Sequence, residues 1–140
     1  MSVYIASDHA GFHLKRYLID NLDIHNDLGT DSSESCDYPV YAKKLVTAVL
    51  QSSDNFGILI CGSGIGMSIA ANRYAGIRAA LCLNEEMATL ARQHNNANVI
   101  VFGERMISPE TALNCARRFL STSFDGGRHL RRIKLLDQQD

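Results

Sequence analysis

Residues 56–61 read FGILIC, and residues 62–66 continue as GSGIG. The first six form a short apolar run closed by glycine, the pattern of a strand buried on both faces. The next five supply the tight turn, and residues 67–73 resume with helical character. A buried strand that passes through a glycine turn into a helix is the repeating unit of a parallel sheet covered by helices on both sides. In such sheets ligands bind beyond the carboxyl ends of the strands, so the turn itself is a place to look for function.

The same alternation extends in both directions. Residues 2–7 (SVYIAS) predict the first strand, and residues 13–21 a helix with Leu14, Tyr17 and Leu18 on one face. Residues 23–28 read as a weaker strand, followed by a turn at Gly29-Thr30-Asp31. Asp37 is placed to cap the next helix, with Pro39 in its first turn, where a missing N–H is harmless. Tyr41, Leu45, Ala48 and Val49 mark that helix's apolar face. After the glycine turn come a strand over 77–83, a helix from the Asn84 cap through 93, and a strand over 98–102. Ser108 then caps a helix with Pro109 at its first position, and Ala112, Cys115, Ala116, Phe119 and Leu120 form its buried face. Gly126-Gly127 is read as its break, and a basic segment over 128–136 as a last helix. The fold class is α/β, a Rossmann-like three-layer α/β/α arrangement with a five-stranded parallel sheet and a C-terminal basic helix. All 140 residues are taken as one domain.

Composition narrows the function classes. The chain is 46% hydrophobic and 21% charged, with a formal net charge of −1. It can build a core, and it lacks the basic excess of a general nucleic-acid binder. No apolar stretch reaches membrane-spanning length, and the first residues carry no secretory signature. The four cysteines, Cys36, Cys61, Cys82 and Cys115, are widely spaced, with no CxxC pair and no zinc pattern. Reduced thiols in a cytoplasmic protein are the expectation, with no metal and no cofactor.

Chemistry-bearing residues gather after strands. In Cys61-Gly62-Ser63-Gly64-Ile65-Gly66, glycines let successive N–H groups point at one anion, and the helix start adds a favourable field. The spacing differs from the GxGxxG dinucleotide fingerprint, and the Lys of a P-loop is missing. A tight turn without a ligand is the alternative. Cys61 sits at a helix N-terminus, where a thiol ionises more readily, although a cysteine ending an apolar strand is also often inert. Asp8-His9 follows the first strand. His94-Asn95-Asn96 ends the fourth helix. Arg128 and Arg132 are four apart, hence on one helical face, and suit a phosphate, as does Arg105 after the fifth strand. A solvated basic terminus is the competing reading for the arginines. His13 and His25 read as surface residues.

Together these stretches resemble the ribose-5-phosphate isomerase B family and the related galactose-6-phosphate isomerases. The resemblance is carried by SDHAGF (7–12), DYPVYA (37–42), GILICGSGIGMSIAANR (57–73), GIRAAL (76–81), RQHNNANV (92–99), FGERM (102–106) and GGRHLRRI (126–133). It implies a metal-free aldose–ketose isomerase of the non-oxidative pentose phosphate pathway, acting on a phosphorylated pentose as a homodimer or a dimer of dimers. One branch of the family uses a cysteine as carbon base and another a glutamate just after the glycine loop. Here Cys61 is present and the later position holds Met67, as in the cysteine branch. Ser63 stands where many relatives have threonine, which keeps the hydroxyl.

By the same resemblance Asp8 and His9 contact the sugar and His94 is the acid that opens the furanose ring. Gly62, Ser63, Gly64, Ile65 and Gly66 bind the reacting oxygens, and Asn95, Arg105, Arg128 and Arg132 complete a site shared between subunits. The residues alone would seat the phosphate on the glycine loop, whereas the resemblance seats the enediolate there and the phosphate on the arginines. A phosphosugar-binding regulator without turnover, a hexose 6-phosphate isomerase of galactose or allose type, and a nucleotide-binding module are the competing readings.

Overall fold

The computed structural model describes residues 1–138. Its strands are β1 (Val3–Ser7), β2 (Asn26–Asp27), β3 (Phe56–Cys61), β4 (Ala79–Leu81) and β5 (Val99–Gly103). Its helices are α1 (Phe12–Leu22), α2 (Tyr38–Val49), α3 (Ile65–Ala71), α4 (Glu85–Asn95), α5 (Pro109–Ser121) and α6 (Arg128–Lys134), with a 3-10 turn at His9–Gly11. The strands form one parallel sheet in the order β2-β1-β3-β5-β4. From β1 the chain goes outward on one side to β2 and on the other to β3. The crevice between β1 and β3 is therefore a topological switch point.

Both faces of the central strands are covered, which is why they read as unbroken apolar runs. Ile5, Ile58, Ile60, Ile100 and Phe102 face a core built with Leu14, Leu18, Ala88, Ala116 and Phe119, from α1, α4 and α5. Ala6, Leu59, Val99 and Val101 face the opposite core, with Leu45, Val49 and Met67 from α2 and α3.

Two predicted strands shrink because they are the sheet edges. Residues 23–28 contribute only β2, whose two exposed polar residues pair with β1. Its Asp27 instead takes both contacts of the fully buried Lys15 Nζ, at 2.8 and 2.7 Å. Residues 77–83 contribute only β4, paired with β5 alone. Asn84 and Ser108 cap as expected, accepting from the Met87 N–H at 2.9 Å and the Thr111 N–H at 3.2 Å. Asp37 occupies the cap position of α2 without a side-chain cap bond. The helix expected to run to Gly126-Gly127 ends earlier, at Ser121, where Thr122 turns to extended backbone. Helix α3 starts two residues before the predicted Met67, so Gly64, at φ 80°, is its cap. Among the described residues no helix is long and apolar enough to cross a membrane.

Candidate active site

At the carboxyl edge of the sheet, the ends of β1 and β3 open a cleft of about 270 Å³. Asp8, His9, Tyr38, Cys61, Gly62, Ser63, Gly66 and Arg105 line it with Ala10. Asp8 is nearly buried because its Oδ1 caps the turn, accepting from the Ala10 N–H at 3.0 Å and the Gly11 N–H at 3.2 Å. His9 Nδ1 lies 3.2 Å from both the N–H and the carbonyl of Cys36. Either tautomer is satisfied there, and the ring is held with Nε2 available to a ligand.

The glycine loop is shaped by what touches it. A methyl group on Gly62 would come within 2.9 Å of Arg105 Nη1, and one on Gly66 within 2.7 Å of the Tyr38 ring. Gly103 gives the loop room to cross β5, because a side chain there would meet the Ser63 backbone. The Arg105 N–H donates to the Gly62 carbonyl at 3.1 Å, which ties the arginine to the loop. The Gly64 N–H donates to Cys61 Sγ at 3.2 Å. The Ser63, Gly66 and Met67 N–H groups have no acceptor among the described residues. Free donors at a helix start are what an oxyanion needs. Of the other two buried thiols, burial pushes Cys82 up to about 12 and Cys115 up to about 11. Neither is a nucleophile or base near neutral pH.

The remaining predicted site residues lie elsewhere. Helix α4 starts beyond the carboxyl end of β4 and carries the chain back along the sheet. Its 11 residues span about 16 Å. His94 and Asn95 therefore stand at the amino edge, just before β5, while Cys61 pairs with Gly103 at the far end of that strand. There the His94 ring stacks on His129 of α6, with centroids 4.4 Å apart and planes 14° from parallel. Exposed Arg128 and Arg132 project from the same short helix. The predicted site residues thus fall into two groups at opposite edges of one chain. Asp8, His9, Arg105 and the loop surround Cys61, and His94, Asn95, Arg128 and Arg132 form a separate basic cluster.

Sequence reasoning did not single out four residues that stand against these groups. Tyr38, inside the DYPVYA stretch, packs on Gly66. Cys36 holds His9 through its backbone. His129 and Asp125 join His94, and their Nδ1/Nε2 and carboxylate atoms all lie within 4.8 Å of one another. His129 is pushed below the ordinary imidazole range by desolvation first, then by His94, Arg128 and Arg132, with Asp125 opposing. Only the GGRH stretch carried a hint of this pairing.

A family model described as Ribose/Galactose Isomerase matches residues 3–136. Ribose-5-phosphate isomerase B of Escherichia coli is 44% identical over 133 residues, covering 92% of this chain and 89% of that protein. The crystal structure of a ribose 5-phosphate isomerase from Thermotoga maritima is 56% identical, with a TM-score of 0.93 and 97% of each chain covered. Ribose-5-phosphate isomerase B from Mycoplasma genitalium, solved with bound ribulose-5-phosphate, is 40% identical, with a TM-score of 0.91 over 95% of this chain and 91% of that one.

Proposed function

This chain belongs to the ribose/galactose isomerase family, and from that premise we propose that it interconverts D-ribose 5-phosphate and D-ribulose 5-phosphate, an aldose–ketose isomerisation in which Cys61 is the carbon base. The observation that carries the base assignment is the Gly64 N–H aimed at Cys61 Sγ inside a cleft that also holds Asp8, His9 and Arg105. The bound ketose in the Mycoplasma relative supports the substrate class.

The chemistry follows from taking the two groups as half-sites. Ribose 5-phosphate is mostly a closed ring, so C2–H becomes acidic only after opening. His94 of a second copy passes a proton to the ring oxygen as its bond to C1 breaks, and the O1 hydroxyl gives up its proton to solvent as the aldehyde forms, with Asp8 as polar partner. The Cys61 thiolate then removes the C2 proton, and the electrons move to O1. The free loop N–H groups stabilise that oxygen, at about 3–4 kcal/mol of barrier per donor. The proton returns at C1 while the O2 proton passes to O1, which leaves the carbonyl at C2. Arg105, and Arg128 and Arg132 with Asn95 from the second copy, hold the phosphate and so fix the reacting carbon.

A homodimer, alone or paired into a dimer of dimers, brings the amino edge of one chain to the carboxyl edge of the other. Exposed Ile65 and Ile69 on α3, with Leu83, Met87 and Leu90 at and along α4, support such a contact, because large exposed apolar side chains favour burial. The place of the reaction is the non-oxidative pentose phosphate pathway in the cytoplasm. The deciding experiment is a panel of pentose and hexose phosphates assayed for aldose–ketose conversion. Turnover of ribose 5-phosphate establishes the reading, turnover of a hexose 6-phosphate alone transfers it to a galactose- or allose-type enzyme, and binding without turnover makes the protein a regulator.

Two further results are expected. The reaction uses no metal, so activity is undiminished after exhaustive treatment with EDTA; a loss restored by a divalent ion contradicts the mechanism. His94→Ala is expected to consume ribulose 5-phosphate better, relative to wild type, than ribose 5-phosphate. The ketose cannot close a five-membered ring through its phosphorylated oxygen and needs no ring opening. The immediate product is then open-chain ribose 5-phosphate, which cyclises in solution. Equal losses in both directions, with a lowered melting temperature, make His94 a packing residue.

A further inference from the structure

Where α4 ends and α6 begins, three side chains of ligating type converge. The His94, Asp125 and His129 ligand atoms lie within 4.8 Å of one another. Their backbone is fixed. The Asp125 N–H donates to the Gln93 carbonyl at 3.1 Å, and the His129 N–H donates to the Gly126 carbonyl at 3.2 Å. Gly126 and Gly127, at φ 70° and 59°, turn the chain so that His129 returns over His94. Among the described residues none of the three side chains is committed to a hydrogen bond or ion pair within the protein.

Two imidazoles and one carboxylate form a donor set for zinc and its first-row neighbours, not for magnesium or calcium. A tetrahedral ion about 2.0–2.1 Å from each ligand needs ligand atoms about 3.3 Å apart, so the three must close by up to about 1.5 Å. The His94–His129 stack, with planes 14° from parallel, must open by rotation of both rings, because an imidazole binds a metal in its own plane. The fourth position stays open. Arg128 and Arg132 stand against His129 and oppose a dication, while Asp125 offsets one charge. That balance suits a reversible, inhibitory ion better than a permanent structural one. The site also uses the same imidazole that the isomerase reading assigns to ring opening.

We propose that His94, Asp125 and His129 form a site for a zinc-like divalent cation, and that its occupancy withdraws His94 from acid catalysis. The inhibitory half of the proposal rests on the isomerase reading; the binding half does not. The test uses the intact protein stripped with chelator and then titrated with zinc. Binding is followed by calorimetry and activity by initial rates with ribose 5-phosphate. Wild type should bind one zinc per chain and lose activity with the same midpoint, and EDTA should restore it. In Asp125→Asn, measured against that variant's own zinc-free rate, binding and inhibition should both weaken by about tenfold or more. His129→Ala should lose binding similarly, and Cys61→Ala should still bind one zinc. Unchanged affinity in Asp125→Asn and His129→Ala, or loss of the zinc in Cys61→Ala, overturns the site. Binding at the site without inhibition leaves the site standing and removes His94 from the ring-opening role.

Discussion

Cys61→Ser is expected to lower the isomerisation rate by roughly 10²–10⁴-fold, the range for removing a positioned base. The loss should fall on kcat and leave KM nearly unchanged, because a base acts on the transition state and not on the bound sugar. Serine is close in size, and its oxygen can accept the Gly64 N–H that now reaches the sulfur at 3.2 Å. The melting temperature should therefore stay within a few degrees of wild type. A hydroxyl in that place is almost never ionised near neutral pH, and this difference carries the effect. Near-normal turnover by the serine variant would remove Cys61 from the mechanism. The competing thiols cannot substitute: Cys82 and Cys115 are pushed up to about 12 and 11 by burial in the core around α4 and α5.

The sheet was legible because its central strands are buried on both faces. FGILIC runs the whole of β3 with no boundary error, since every residue from Gly57 to Cys61 is buried. The edges were less legible for the opposite reason. An edge strand has one partner, so β2 and β4 keep only the residues that pair, and side chains such as those of Lys15 and Asp27 decide where pairing stops. Helix caps with a hydroxyl or amide three residues before a free N–H, Asn84 and Ser108, were readable. Asp37 is an equally common cap type, but its side chain makes no cap bond in α2.

The cleft at the carboxyl edge was legible in part. Asp8, His9 and Cys61 follow strands and meet there, and the GSGIG glycines are explained by Arg105, Tyr38 and the crossing of β5 at Gly103. Tyr38 and Cys36 were not found. Their contribution depends on a long connection between β2 and α2 folding back over the site, and no local spacing encodes that. His94 was readable as a helix-terminal histidine. Its separation from Cys61 was not, because motif spacing says nothing about which edge of the sheet a helix returns to.

That separation makes the shared site testable by mixing two inactive proteins. Cys61→Ala lacks the base, and His94→Ala lacks the ring-opening acid, so each alone should be nearly silent toward ribose 5-phosphate. In a two-fold dimer each site takes Cys61 from one chain and His94 from the other. A mixed dimer of the two variants then contains one site with both residues intact and one with neither. If subunits exchange at random, half the dimers are mixed and each has one working site, so activity should rise from near zero to about a quarter of wild type. The recovery should need conditions that let subunits exchange, such as brief low denaturant or co-expression, and should be absent on simple mixing of stable dimers. The opposite geometry gives a different answer. If Cys61 and His94 served the same site within one chain, every site in a mixed dimer would carry one defect and no activity would return. About 16 Å of α4 between the two edges of the sheet favours the first outcome. Failure to recover activity, with exchange verified by a mass tag on one variant, would confine the catalytic site to the Cys61 cleft of a single chain.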